Sequence, residues 1–172
     1  MKLKWILAAW IAGFFVSASA QVARVDSPWV RGTATGQTTA GGFMRLLSRD
    51  GAQLIGGLSP VAQTVELHDM KTDRGALVRE RVPFILLPAG RWVDLHQCGP
   101  HILLIGLKQP LTRGMNVPLT LIFKDRNGVE SRISIQAPVF GSAAELNAAM
   151  QRGVVVGMAD EVVNCSFQPR VG

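Results

Sequence analysis

The chain has little cysteine, little clustered charge and, after its first 20 residues, no long apolar stretch. A membrane-spanning helix needs about 18 or more consecutive apolar residues, so none is expected in the mature protein. The formal net charge of +6 is scattered over 172 residues and forms no basic block. Nucleic acid is therefore not expected as a partner, and the charge favours only a mild preference for acidic partners or anionic surfaces.

Signatures of catalysis are missing as well. No serine or cysteine stands in the GxSxG context of an activated nucleophile, and the sequence contains neither HExxH nor a glycine-rich phosphate loop. The sequence therefore predicts a protein that is not an enzyme.

The first 20 residues, MKLKWILAAWIAGFFVSASA, are typical of a bacterial secretory signal peptide. Lys2 and Lys4 form its basic start, an apolar run follows from Trp5 to Val16, and Ala18-Ser19-Ala20 is a small-residue cleavage signal. The apolar run is too short to span a bilayer. We expect cleavage after Ala20 and a mature, periplasmic protein from residue 21 onwards.

Residues 21–138 read as short strands separated by turn residues, which predicts one all-β domain, a sandwich or barrel. In one strand the apolar residues alternate with Pro118 and Thr120, and an Asn-Gly turn predicts a hairpin to the next strand. Trp29 and Trp92 are expected to fill the core. The expected strands are Trp29–Arg31, Gly42–Leu47, Gln53–Gly57, Thr64–Met70, Val82–Leu87, Arg91–Leu95, Ile102–Leu107, 117–123 and 129–136.

Residues 139–172 change character. Ser142 followed by Glu145 forms a capping box, and Gly153 supplies a stop signal, so a short helix is predicted from Ala143 to Arg152. The rest of this segment is expected to be a tail.

The stretch TVELHDM places side chains that can bind a soft metal on one strand face. His68 and Met70 are two residues apart and therefore point the same way, and His101 opens the strand after a Gly99-Pro100 turn. Imidazole and thioether are neutral ligands, and a thioether selects soft ions such as Cu(I). Histidine and methionine in strands are more often structural, so both interpretations stand at this point.

The stretch DLHQCGPHILL offers a second candidate metal site. His96, Cys98 and His101 could form a metal cluster if Cys98 is a free thiolate. In an oxidising compartment, however, Cys98 and Cys165 are candidates for a disulfide. Such a bond would close a loop of about 67 residues and stabilise the fold by roughly 4 kcal/mol.

The chain resembles the periplasmic copper chaperones of the PCuAC family over roughly Ala23 to Ala137. The matching landmarks, in order, are PWVRGTATGQTTAGGFMRL, LSPVAQTVELHDM, LLPAGRWVDL, GPHILLIGLKQPL and VPLTLIF. The resemblance implies a cupredoxin-like Greek-key sandwich that binds one Cu(I) near its surface. It also implies delivery of copper to a partner, typically a periplasmic or membrane-anchored oxidase subunit.

The copper ligands of that family follow the pattern H-x10-M-x21-H-x-M. Laid on this sequence, the pattern falls on His68, Arg79, His101 and Leu103. The two histidines keep the family spacing, whereas neither residue at the methionine positions can replace a thioether. Met70 beside His68, and Cys98 if it is not oxidised, are the substitutes that this chain offers.

Two classes of function follow from the resemblance. The first is a copper-binding or copper-delivery protein with a reduced ligand set of His68, His101 and Met70. The second is a metal-free member of the family that acts as a periplasmic partner-binding or structural module. The two histidines retained at the family spacing favour the copper protein.

Overall fold

The computed structural model describes residues 21–74 and 76–141, with the backbone alone at Ala76. The predicted signal peptide and the predicted helix from Ala143 to Arg152 lie outside these residues. The described part consists of strands joined by turns and loops, which confirms the all-β prediction. The ten strands are β1 Arg24–Arg31, β2 Thr39–Leu47, β3 Ala52–Leu58, β4 Thr64–Asp73, β5 Ala76–Arg81, β6 Ile85–Leu87, β7 Trp92–Leu95, β8 His101–Ile105, β9 Asn116–Asp125 and β10 Glu130–Phe140.

The strands form one mixed sheet in the order β5-β4-β8-β2-β1-β10-β9-β3-β6, and β7 pairs with β2. An additional pairing joins β3 to β4, with Gly57 opposite Val65, and this pairing closes the sheet on itself. The β1–β10 pair is parallel and the other pairs of named strands are antiparallel. Strands from distant parts of the sequence therefore become neighbours, and β4 lies between β5 and β8.

The core lies on the inner face of this closed sheet because apolar residues recur at every second position. In β9 the predicted alternation is confirmed, since Val117, Leu119, Leu121 and Phe123 are all buried. On β8 and β4 the inner face carries Ile102, Leu104 and Leu67, which belong to the same buried cluster. The alternate residues of β4 and β8, which include His68 and His101, therefore project to the outer face.

The predicted hairpin between β9 and β10 forms at the Asn-Gly turn. Gly128 has φ of 81°, a left-handed conformation that glycine adopts without steric cost. The carboxylate of Asp125 accepts hydrogen bonds from the backbone N–H groups of Asn127 and Val129, both at 2.8 Å. The local sequence is therefore sufficient to reverse the chain here.

Two predictions about the strands and the core are wrong. A strand was expected over Val82–Leu87, but only Ile85–Leu87 is a strand. The segment before Val82, Ala76–Arg81, forms the strand β5, which was not expected. Trp92 does not fill the core: it is 36% exposed, with the guanidinium of Arg45 4.7 Å from its ring centroid. Trp92 can remain at the surface because the cation covers its face.

Candidate metal site

The register between β4 and β8 places His68 directly opposite His101. On the other side of β4, Met70 pairs with Arg79 and His68 pairs with Arg81 in β5. Directly opposite residues of a sheet project to the same face. The two histidines, Met70 and two arginines therefore share the outer face of β4, β5 and β8, which we call the histidine face.

His101 is buried, with 2% of its surface exposed. Its Nδ1 lies 2.8 Å from the carbonyl oxygen of Gly99. A carbonyl only accepts hydrogen bonds, so Nδ1 carries the proton and donates it, and Nε2 is left with a lone pair. The Nε2 atom is buried without a hydrogen-bond partner in the part of the chain that the structure describes.

His68 has the complementary arrangement. Its Nε2 lies 2.9 Å from Oε2 of Glu66, and the other carboxylate oxygen of Glu66 lies 3.3 Å from Nη1 of Arg81. An ionised carboxylate accepts only, so Nε2–H donates and Nδ1 keeps its lone pair. Within the described residues Nδ1 is also buried without a partner.

The two imidazole rings lie close enough to share one ion. Their centroids are 6.0 Å apart and their planes are inclined by 29°. An imidazole nitrogen lies about 2 Å from a first-row metal and about 1 Å from its own ring centroid, so two rings that share an ion have centroids at most about 6 Å apart. At 6.0 Å the rings stand at this upper limit, so one shared ion requires the two nitrogens to face each other or the rings to approach slightly, and neither requires a change of strand register.

Aromatic side chains support His101 from the neighbouring strands. The rings of Phe43 and His101 have centroids 6.3 Å apart, and the Phe43 ring in turn packs on Trp29 at 4.6 Å. Gly41 makes room for this packing, because a Cβ atom there would stand 2.6 Å from the Phe43 ring. The imidazole is held by packing as well as by hydrogen bonding.

Burial lowers the pKa of His101 below its ordinary value of 6.5, because the charged form loses its hydration. The positive charge of Arg79 and the neighbouring His68 lower the pKa further, whereas the hydrogen bond to Gly99 and the charge of Asp69 oppose the shift. His101 is therefore neutral near pH 7, the form that can bind a metal.

The substitute ligand Met70 and the two residues at the methionine positions of the PCuAC pattern differ in burial and in chemistry. Met70 is half-buried on the histidine face, beside His68. Leu103 is also half-buried and lies opposite Glu66, where it has no donor atom to offer. The side chain of Arg79 is exposed at the edge strand β5.

The rival cluster of His96, Cys98 and His101 is not formed. Cys98 is disulfide-bonded, and its predicted partner Cys165 lies outside the described residues, so the identity of the pair stays a prediction. Among residues 21–74 and 76–141, no group of three or more His, Cys, Asp or Glu side chains could hold a metal ion. His96 is half-buried in the turn before β8.

Glu66 is the residue of this site that sequence reasoning missed. Its two-residue spacing from His68 on a strand places the carboxylate on the histidine face, and this signal is present in the sequence. Arg81 had no such signal, because β5 was not expected as a strand.

Comparison with protein families finds a match over most of the chain. A family described as "Putative lipoprotein LpqE-like" matches residues 23–139. "Putative lipoprotein Lxx21020" of Leifsonia xyli subsp. xyli (strain CTCB07) is 32% identical over 123 residues, which are 71% of this chain and 73% of that protein.

Solved structures with a similar fold include PCuAC domains. The solution structure of apo-DR1885 from Deinococcus radiodurans is 25% identical with a TM-score of 0.53, over 83% of this chain and 95% of that chain. The copper-bound PCuAC domain from PmoF2 has a TM-score of 0.58 at 23% identity, over 71% of this chain and 95% of that chain. These likenesses confirm the predicted cupredoxin-like β fold and the resemblance to PCuAC domains.

Proposed function

The chain belongs to the LpqE-like family, and we propose that it is a copper-chaperone-like protein that binds one Cu(I) ion between His68 and His101. The observation that carries this proposal is the pair of buried nitrogens, Nδ1 of His68 and Nε2 of His101, without partners among the described residues. Buried polar atoms are nearly always hydrogen-bonded, so two such lone pairs on opposed residues call for an explanation. A shared metal ion supplies one.

The hydrogen bonds behind the two rings support the same conclusion. A histidine that ligates a metal almost always donates its other N–H to a carboxylate or a backbone carbonyl, which fixes the ring and its tautomer. His68 donates to Glu66 and His101 donates to Gly99. Both rings therefore have the support that metal-ligating histidines need.

The identity of the cargo follows from similar proteins. One of the solved structures is titled as the Cu(I) form of DR1885, 25% identical to this chain with a TM-score of 0.53, over 74% of this chain and 85% of that one. Two neutral imidazoles suit Cu(I), which tolerates few ligands, and Met70 adds a thioether of the type that soft ions prefer. We therefore assign His68 and His101 as the main ligands and Met70 as a weaker third one. Cys98 is excluded as a thiolate ligand by its disulfide.

The proposed place of action follows from the signal peptide predicted in residues 1–20, and the proposed partner follows from the resemblance to PCuAC chaperones. We propose that residues 1–20 direct export, that residues 21–138 are the copper-binding domain and that residues 139–172 are an appended segment. Copper would then be delivered outside the cytoplasm to a copper-using protein such as an oxidase subunit, without any enzymatic step. In the described residues no helix is long and apolar enough to cross a membrane.

A Cu(I) competition titration of the exported chain against a chromophoric chelator tests the proposal. The variants are His68→Gln and His101→Gln, and His96→Gln is the matched control because this histidine lies in the turn before β8, outside the proposed ligand pair. We expect one Cu(I) per chain, lost in the first two variants and kept in the control. Circular dichroism of each variant checks that the fold survives the substitution.

A second candidate function is that of a metal-free partner-binding module, favoured by the guanidinium of Arg79 at a position where the PCuAC pattern has a thioether. Binding that is absent, or indifferent to both His68 and His101, would favour this alternative. A pull-down from envelope extracts that gives the same partner with the wild-type chain and with the double variant would then support it.

A further inference from the structure

We propose that the copper site takes an anionic donor from outside the chain as a further ligand of the ion, and that the guanidinium of Arg79 holds this donor. The inference rests on the proposed function, because it concerns the coordination of the same Cu(I). The external donor is a soft anion. It is either a free ion or the thiolate of a cysteine side chain on the protein that receives the copper.

Arg79 is placed to act on the site. Arg79 on β5 lies directly opposite Met70 on β4, and Met70 is two residues from His68. Arg79 therefore belongs to the histidine face. His68, the neighbour of Met70 on the same face of β4, lies directly opposite His101 on β8. The Arg79 side chain therefore projects to the face from which the two histidines would hold an ion.

The guanidinium of Arg79 is also available. Arg81, two residues further along β5, is paired with Glu66, and Lys71 is paired with Glu80. The side chain of Arg79 is exposed and has no hydrogen bond or ion pair within the described residues, although its guanidinium is a five-donor group that fits carboxylates and other anions. An exposed guanidinium on the same face as the two proposed ligands is a ready anion partner.

The charges of the histidine face favour an anion once copper is bound. On this face Arg79 and Arg81 are positive and Glu66 is negative, so the local charge sums to plus one. Bound Cu(I) raises this sum to plus two, with the guanidinium of Arg79 on the same face as the cation. Like charges at short range repel each other inside a protein, and an anion between them relieves that repulsion.

The coordination chemistry leaves a position for this donor. Arg79 and Leu103 replace the two thioethers of the related pattern, so the chain provides the two imidazoles and Met70 only. Cu(I) is a soft ion that prefers soft donors, and a thiolate or a heavy halide is both soft and anionic. An external anion therefore supplies the ligand and the charge that this chain lacks.

The test measures how Cu(I) affinity depends on the anion in the buffer. The chelator titration is run on the exported chain at constant ionic strength in sodium fluoride, a hard anion, and in sodium bromide, a soft one. The variants are Arg79→Gln, which removes the charge, and Arg79→Met, which adds a thioether. Arg132→Gln on β10 is the matched control, because it removes one exposed positive charge from a strand that does not pair with β4, β5 or β8.

We expect wild-type protein and the Arg132→Gln control to bind Cu(I) about tenfold more tightly in bromide than in fluoride, the size of one charge-assisted hydrogen bond. In Arg79→Gln the ratio should fall below about twofold. In Arg79→Met the affinity should be high and independent of the anion. Copper-edge X-ray absorption should detect a bromide neighbour in the wild-type complex and none in Arg79→Met. A wild-type affinity that is raised neither by bromide nor by the cysteine peptide described below, or a bromide effect that is unchanged in Arg79→Gln, would overturn the inference.

Two further comparisons distinguish a free anion from a partner thiolate, and failure of this inference from failure of the proposed function. Short peptides that differ only in one cysteine or one methionine are added in fluoride: tighter binding with the cysteine peptide, dependent on Arg79, identifies a partner thiolate. A bromide effect without a cysteine-peptide effect identifies a free anion. If neither salt nor peptide yields binding that depends on His68 and His101, the proposed function itself fails. Tight histidine-dependent binding that ignores every anion and both peptides refutes this inference and leaves the proposed function standing.

Discussion

In the proposed copper site, Glu66 should set the affinity for Cu(I) through His68, although Glu66 is not itself a proposed ligand. Its Oε2 accepts the Nε2–H of His68 at 2.9 Å, and only 20% of its side chain is exposed. Loss of such a supporting partner typically weakens metal binding by about 10- to 100-fold, or about 1.4 to 2.7 kcal/mol. We expect Glu66→Gln to fall near the lower value, because an amide oxygen can still accept, and Glu66→Leu near the upper one.

The control for this prediction is Arg81→Gln. Arg81 is 71% exposed, and its contact with Glu66 at 3.3 Å is a surface ion pair that contributes little. The chelator titration should therefore show a change of less than about threefold for Arg81→Gln. Imidazole ¹⁵N chemical shifts of the metal-free protein provide a second readout, since His68 should be protonated at Nε2 in the wild type and mixed in Glu66→Leu. The reasoning is refuted if Glu66→Leu keeps the wild-type affinity, or if Arg81→Gln weakens binding equally.

Three further predictions concern the fold around the site. The lowered pKa of His101 means that the unfolded chain binds its proton first, so metal-free protein should lose stability as pH falls below about 6.5. Urea unfolding between pH 7 and pH 5 should show this slope in wild type and a smaller one in His101→Leu. Gly41→Ala forces a Cβ atom to 2.6 Å from the Phe43 ring and should cost about 1–3 kcal/mol, whereas Gly56→Ala meets no atom within 4 Å and should cost far less. Alkylation under non-reducing conditions should leave Cys98 unlabelled, and a chain with both cysteines labelled would contradict the disulfide.

The sequence alone was enough for the architecture of individual strands. Alternation of apolar residues in β9 predicts which side chains are buried, and Asn127-Gly128 predicts the hairpin, because both features depend only on neighbours along the chain. The same reasoning failed for Trp92, whose position at the surface depends on Arg24 and Arg45 from β1 and β2. It also failed for β5, whose pairing with β4 was not visible in the local pattern.

For the candidate metal site, the sequence determined the type of the side chains and their faces. His68, Met70 and Glu66 share a face because a strand has a period of two, and the resemblance to a family linked His68 with His101. Only the tertiary structure decided that His68 lies directly opposite His101, that the tautomers leave one buried lone pair on each ring, and that Arg79 is at the edge of the same face. The physical reason is that strand pairing and burial join residues distant along the chain, and a pattern of period two determines the face of a residue but not its neighbour.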